Sequence, residues 1–279
     1  MNGRRPSEID APTSRFLAWH ETTAHSLVGR EVRDLGDVYM LHDPNDREPY
    51  WNRMAGFAWP SDPNAFDRRL AEALALFAML DRIPHAWPLP GFDEPADIVE
   101  RLQANGFESH GTGILMVLDP ASWPERVDPV APGVTIDHLV QPAVDARAAV
   151  ANEIATVLTA SFDVEPDRRA VVADEAATLL GRPECHVCLV RVDGEPAAVV
   201  RRSTFAGASY LSSIATLPKF RGRGLGRLVT VSAVREALAA GSDWTYLGVF
   251  SDNAVARRLY ENLGFAAIGG PSPDLLLRR

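Results

Sequence analysis

Ser212-Ser213-Ile214-Ala215-Thr216-Leu217-Pro218-Lys219-Phe220-Arg221-Gly222-Arg223-Gly224-Leu225-Gly226-Arg227-Leu228 is the stretch whose reading settles the fold. It begins as a strand and breaks into a glycine-rich loop. Leu225, Leu228, Val231, Val234 and Leu238 then recur at spacings of three and four, which predicts a helix over 222–240 with Gly241 just past its end. The first N–H groups of a helix have no intrahelical partner, and its dipole adds partial positive charge there. Glycine lets a ligand approach the main chain closely, so the loop reads as a phosphate site. Lys219, Arg221, Arg223, Arg227 and Arg235 reinforce it, with no carboxylate between Leu217 and Arg235. Charge alone also suits a solvated helix face.

Two other phosphate loops do not fit. A Walker loop needs Gly-Lys followed by Ser or Thr, which the chain lacks. A dinucleotide fingerprint counted from Gly222 needs glycine where Arg227 stands. What remains is Arg-x-x-Gly-x-Gly at Arg221, Gly224 and Gly226.

Outward from that stretch, strands are predicted at 134–139, 186–192, 196–204, 209–217 and 244–250, with a last strand opening at Phe265. Asp193-Gly194 is a two-residue hairpin signal. Helices are predicted at 145–161, 166–180 and 252–262, the last closed by Gly264. The order β-α-α-β-β-β-α-β-α-β is a mixed α/β layer structure. Pro120, Pro124, Pro129 and Pro132 mark a linker, giving an N-terminal domain 1–119, a linker 120–133 and a C-terminal domain 134–279. In the first half, helices are expected at 14–27, 64–80 and 95–104, strands at 38–42 and 85–89, and an apolar run at 114–118. The segment Ile98-Val99-Glu100-Arg101-Leu102-Gln103-Ala104-Asn105-Gly106-Phe107-Glu108 echoes Ala256-Arg257-Arg258-Leu259-Tyr260-Glu261-Asn262-Leu263-Gly264-Phe265-Ala266 with one residue deleted. Each is a helix stopped by Gly-Phe, after a short strand containing Trp87 or Trp244.

The loop, followed about 30 residues later by Asn253 and Arg258-Leu259-Tyr260-Glu261-Asn262-Leu263-Gly264-Phe265, resembles the GCN5-related N-acetyltransferases over roughly 134–270. That resemblance implies an α/β fold, with two such mixed-sheet domains in tandem and the first one degenerate. It implies acetyl-CoA as acyl donor. Ile214, Ala215 and Thr216 would pair their backbone with its pantetheine arm, as a strand pairs with an added strand. Arg221, Gly222, Arg223, Gly224, Leu225, Gly226 and Arg227 would cradle the pyrophosphate, and Asn253 would bind near the pantetheine. Tyr260 would lie by the thioester sulfur and protonate the leaving thiolate. An amine would attack the thioester directly, the oxyanion resting on backbone N–H groups. Some members carry a glutamate base on the strand before Asn253; here Gly248 stands there. Asp163 and Glu165 are the alternative carboxylates, and the amine can also arrive neutral. The first half offers Leu102 against Tyr260 and no Arg-x-x-Gly-x-Gly before Asn64, so it is expected to wall the substrate cleft without binding cofactor.

The chain has 279 residues, 46% of them hydrophobic and 23% charged, which supports packed cores and two domains. The net charge of −9 argues against a general nucleic-acid binder. Residues 1–130 hold 12 arginines against 21 carboxylates, while the remainder is balanced at 16 and 16, which favours a cationic substrate such as a polyamine, an aminoglycoside or a basic peptide. No apolar run is long enough to span a membrane, and no apolar segment follows the first arginines as in a secretory signal. Two cysteines fit a reducing cytoplasm, and a single lysine among 28 basic residues fits a GC-rich bacterial genome. Cys185-His186-Val187-Cys188 lacks a second pair for zinc and the strand-to-helix setting of a redox motif. His20 and His25 lack zincin spacing, so no metal is expected. The reading is an acetyl-CoA-dependent N-acetyltransferase acting on an amine of a small molecule or peptide. The alternatives are a non-catalytic acyl-CoA-binding or regulatory module and a different acyl donor, for which Ser212, Ser213 and Gly248 would leave room. The acceptor and oligomeric state are not written in the sequence.

Overall fold

The computed structural model describes residues 3–124 and 131–278. In chain order its elements are α1 (Ala11–Ser26), β1 (Glu31–Asp34), β2 (Tyr39–His42), β3 (Arg53–Ala55), α2 (Pro63–Met79), β4 (His85–Ala86), α3 (Ile98–Ala104), β5 (Glu108–Leu118), β6 (Val134–Val140), α4 (Val144–Ser161), α5 (Arg169–Leu180), β7 (Cys185–Val192), β8 (Glu195–Phe205), β9 (Ala208–Thr216), α6 (Leu225–Ala239), β10 (Trp244–Phe250), α7 (Ala254–Glu261) and β11 (Phe265–Leu276). They form two compact units. One comprises Met1–Arg5, Val117–Leu247 and Leu259–Phe265; the other comprises Pro6–Met116, Gly248–Arg258 and Ala266–Arg279. These units interleave along the chain, whereas the sequence reading divides it into the consecutive segments 1–119, 120–133 and 134–279. Part of the expected linker, 125–130, lies outside the described residues.

The first unit has the strand order β10-β9-β8-β7-β6. β6 to β9 pair antiparallel and β10 joins β9 in parallel, because α6 carries the chain back across the sheet between them. Asp193 (φ +50°) and Gly194 (φ +83°) make the β7–β8 turn that the sequence signals, with both central residues left-handed. Ala206 (φ +47°) and Gly207 (φ +80°) repeat that geometry between β8 and β9. α6 buries Leu225, Val229, Val231, Val234 and Ala237, and the sheet face that carries Cys188 contributes Val190, Ala198, Val200 and Leu211. Each such Val or Leu adds about 1.5–3 kcal/mol of transfer free energy, so the helix axis is held by its apolar face.

The second unit has the order β1-β2-β3-β4-β11-β5. Asp10 and Asp62 cap α1 and α2, their side chains accepting from Thr13 N and Ala65 N at 2.9 Å. The core includes Met40, Phe57, Trp59, Phe66, Leu70 and Leu102, and also Leu275 of the last strand. β11 therefore serves the core of the N-terminal half, with Leu275 opposite Ala86 of β4. Buried Arg53 donates to Glu21 at 2.6 Å, and His25 Nε2 lies 2.9 Å from the same carboxylate. Burial alone would raise the Glu21 pKa, but Arg53 and His25 together hold it down at about 2. The internal echo has a backbone counterpart. α3 is followed by Gly106 at φ +89° and α7 by Gly264 at φ +87°. No described helix is long and apolar enough to cross a membrane.

Asp93 is buried and accepts from Leu89 N at 2.9 Å. Burial pushes its carboxyl up to about 7 despite the backbone hydrogen bonds it receives. The unfolded carboxyl titrates near pH 4, so the stability tied to the neutral form is complete below about pH 4 and is lost as pH rises through about 7. Urea melts should show the stability of the wild type relative to Asp93→Asn declining from about pH 4 to about pH 7. A pH-independent difference would contradict the assignment.

Candidate active site

The site is built where β9 ends. Between Val199↔Ala215 and Arg201↔Ser212 the β8–β9 ladder shifts register, leaving one extra residue on β9. Ser213, at φ +53°, absorbs the bulge. Arg201 Nε donates to Ser212 Oγ at 2.9 Å and braces it. The parallel ladder with β10 pairs Ala208 to Leu211 with Trp244 to Leu247. β9 then runs on to Thr216, so Ile214, Ala215 and Thr216 lie beyond its last β10 partner.

Leu217 N donates to Ala197 O at 2.8 Å and anchors the start of the loop. A short 3-10 turn, Pro218–Phe220, buries the Phe220 ring, and Arg221 follows with extended backbone. Gly222 and Gly224 both adopt φ +76°, and a Cβ at either would meet nothing within 4 Å. The glycines therefore serve the turn and leave the approach to it open. They also explain why α6 starts at Leu225 and not at 222. Gly224 is the N-cap and supplies no side-chain hydrogen bond, so the first-turn amides keep their capacity for an anion. Gly226 sits in the first turn of α6, where a Cβ would stand 3.5 Å from Thr216 Oγ1 and 3.7 Å from Leu259 Cδ1. The end of β9, the first turn of α6 and the residue before Tyr260 thus meet at one place.

The basic residues divide. Arg221 Nε donates to Thr216 O at 3.3 Å, and its Nη2 donates to Ser161 O at 3.4 Å. Arg223 is exposed and stacks over Phe220 at 5.6 Å. Arg227 is half-buried in the first turn of α6. Lys219 is paired with Glu195. Tyr260 is buried, its ring edge-on to Phe265 at 6.1 Å, and burial pushes its phenol up to about 12.

Ile214 to Thr216, Arg221 to Arg227 and Tyr260 belong to one unit, whereas Asn253 belongs to the other. Asn253 Oδ1 accepts from Ala256 N at 3.1 Å, which caps α7. Gly248 is exposed with open space around it, and Asp163 and Glu165 are exposed in the turn between α4 and α5. Cys185 and Cys188 are free and buried. Three residues apart on β7, they point to opposite faces of the sheet, so they form neither a redox pair nor a shared metal site. The bulge at Ser213 and the Arg201 brace are the features the sequence reading lacks. The only trace of the brace is an arginine pair closing the apolar run Ala197-Ala198-Val199-Val200.

Residues 150–265 match the model of the acetyltransferase (GNAT) family. A mycothiol acetyltransferase from Gordonia bronchialis is 30% identical over 162 residues, which cover 52% of this chain and 52% of that protein. The chain thus spans about half, or less, of the length of the curated relatives it matches. Among solved structures, a GCN5-related N-acetyltransferase from Kribbella flavida superposes with a TM-score of 0.69 at 20% identity, covering 95% of this chain and 96% of that one. A tandem GNAT protein from the clavulanic acid biosynthesis pathway superposes with a TM-score of 0.64 at 13% identity, covering 96% of each chain. The fold is the mixed α/β acyl-CoA N-acyltransferase fold over nearly the whole length, and within it residues 150–265 are the part that matches the GNAT family model.

Proposed function

We propose that the chain is an acetyl-CoA-dependent N-acetyltransferase that acetylates an amine of a small molecule or peptide. The observation that carries this reading is the open glycine turn at Gly222 and Gly224 leading into the uncapped first turn of α6, beside the end of β9 that runs beyond its last β10 partner. Acetyl-CoA, when bound, supplies an acetyl group activated as a thioester. Backbone amides from Gly222 to Arg227 hold the diphosphate, with Arg221 and Arg223 adding charge. The β9 edge at Ile214, Ala215 and Thr216 orients the pantetheine arm. An amine lone pair forms the new C–N bond, the C–S bond breaks, Tyr260 gives its phenolic proton to the departing sulfur, and the proton shed by the attacking nitrogen, passed through solvent, restores the phenol. A phenol pushed up to about 12 stays protonated at neutral pH and so acts as acid, not base.

The curated relatives are mycothiol acetyltransferases, which supports a small-molecule acceptor. The acid excess within 1–130 supports a cationic one. Segments 1–119 and 134–279 act as two GNAT-like halves, the first without a phosphate loop. Two free buried thiols fit a reducing, cytoplasmic setting. The second reading, an acyl-CoA-binding module without turnover, rests on Gly248 standing where a carboxylate base occurs in related enzymes.

Calorimetry with acetyl-CoA, followed by a thiol-release assay over polyamines, aminoglycosides, peptides and the amine acceptor of the mycothiol acetyltransferases, separates the two readings. Binding with release on one amine class is expected; binding without release on any supports the module. Gly224→Glu places a carboxylate at the diphosphate and should abolish acetyl-CoA binding while far-UV circular dichroism stays unchanged; retained affinity removes the loop's role. Tyr260→Phe should lower kcat at least about tenfold with the acetyl-CoA KM nearly unchanged. In an absorbance titration of the tyrosines, the same substitution should remove a step near pH 12.

A further inference from the structure

Cys188 is set aside as half of a Cys-x-x-Cys pair, yet it has other neighbours. The β6–β7 register places His138 directly opposite Cys188, so the two side chains share one face of the sheet. α6 covers that face and brings Glu236 to them. Cys188 Sγ lies 3.5 Å from His138 Nδ1 and 3.9 Å from Glu236 Oε1, and His138 Nδ1 is hydrogen-bonded to the same oxygen. The three donor atoms lie within 4.8 Å of one another. We propose that His138 Nδ1, Cys188 Sγ and Glu236 Oε1 are three ligands of a zinc-binding site tying β6, β7 and α6 together.

The donor spacing carries the inference. Tetrahedral zinc, with bonds of about 2.0–2.3 Å to nitrogen, oxygen and sulfur, separates its donors by roughly 3.3–3.6 Å. The sulfur–nitrogen edge already has that length, and the sulfur–oxygen edge exceeds it by a few tenths of an ångström. The nitrogen–oxygen edge is shortened by a hydrogen bond that a metal ion would replace. A mixed sulfur, imidazole and carboxylate set suits zinc better than magnesium or calcium, which favour all-oxygen shells. One thiolate and one carboxylate balance the dication. Arg202 Nη2 donates to Glu236 Oε2 at 3.2 Å, which fixes the carboxylate and turns Oε1 toward the sulfur. His138 is about half exposed, at 47% of its side chain, and so leaves a solvent side for entry and for a fourth ligand.

The arrangement does not suit a nucleophilic triad. Cys188 and Glu236 both approach the same ring nitrogen of His138, whereas a relay needs one on each. Without metal the Cys188 thiol holds its proton, pushed up to about 12 by burial and by Glu236. Binding forms the Zn–S bond and breaks S–H, with the proton leaving to solvent. The site was invisible in the sequence because the cysteine lies 50 residues from its histidine and 48 from its glutamate.

The test uses the full chain, stripped with a chelator and titrated with Co²⁺. One Co²⁺ per chain is expected, with an intense near-ultraviolet sulfur-to-cobalt charge-transfer band that zinc displaces. Cys188→Ser should abolish the band and Cys185→Ser should keep it. His138→Ala should weaken zinc binding at least about tenfold. Failure of the folded wild-type chain to take up Co²⁺ saturably overturns the proposal, without reference to how any variant folds. A charge-transfer band that survives Cys188→Ser overturns it as well.

Discussion

At Gly224 the main chain must turn left-handed immediately before a helix whose direction is already fixed by its buried face. Leu225, Val229, Val231 and Val234 hold α6 on the sheet. The chain arriving from β9 therefore has only Pro218 to Gly224 in which to turn. A side chain at Gly222 or Gly224 would cost about 1–2 kcal/mol in the left-handed region, although neither position is crowded. The same requirement leaves the helix without a side-chain cap. An open turn, an uncapped helix and a route for an anion follow from one backbone constraint.

Magnitudes indicate which part of this turn would dominate the anion binding proposed for it. Exposed arginine–anion attractions are worth about 0–1 kcal/mol each and weaken with salt. Hydrogen bonds from backbone amides to a charged group contribute about 1.5–3 kcal/mol each, and the helix dipole about 0.3–1 more. Several amides converge at the start of α6, whereas Lys219 is occupied by Glu195 and Arg221 is shared with two carbonyls. On these magnitudes the glycine turn, and not the conspicuous run of arginines, would be the specific element of the proposed site.

The C-terminal half was legible because its signals are local. Leu225, Val231 and Val234 repeat with the helical period, Asp193-Gly194 is a two-residue turn, and Gly264 stops a helix. The start of α6 was read three residues early because helical periodicity does not register backbone handedness, which at Gly222 and Gly224 is reversed. The β8–β9 turn puts Ala206 in the left-handed region, and the β9 bulge puts Ser213 there. Neither residue type announces such a conformation; the surrounding ladders impose it. In the N-terminal half, β1 has four residues and β3 has three, too few for a period-two pattern to stand out. The joining of β11 to β4, with Leu275 paired to Ala86 across about two thirds of the chain, left no local mark at all.

Tyr260 and Leu102 occupy corresponding places in the internal echo, and only the first is proposed to do chemistry. Each lies near the end of a short helix that closes on a left-handed glycine, and each is buried. Packing is satisfied by leucine at the first, so it does not by itself demand a hydroxyl at the second. Burying a phenol also incurs a desolvation cost that leucine avoids. That cost appears as the rise of the Tyr260 pKa to about 12, which keeps the proton on oxygen at neutral pH. Thiolates are weaker bases than phenolate, so in the proposed reaction the buried phenol would donate a hydrogen bond as sulfur gains charge and would complete the transfer only as the C–S bond breaks. A residue chosen for packing alone would carry no such proton.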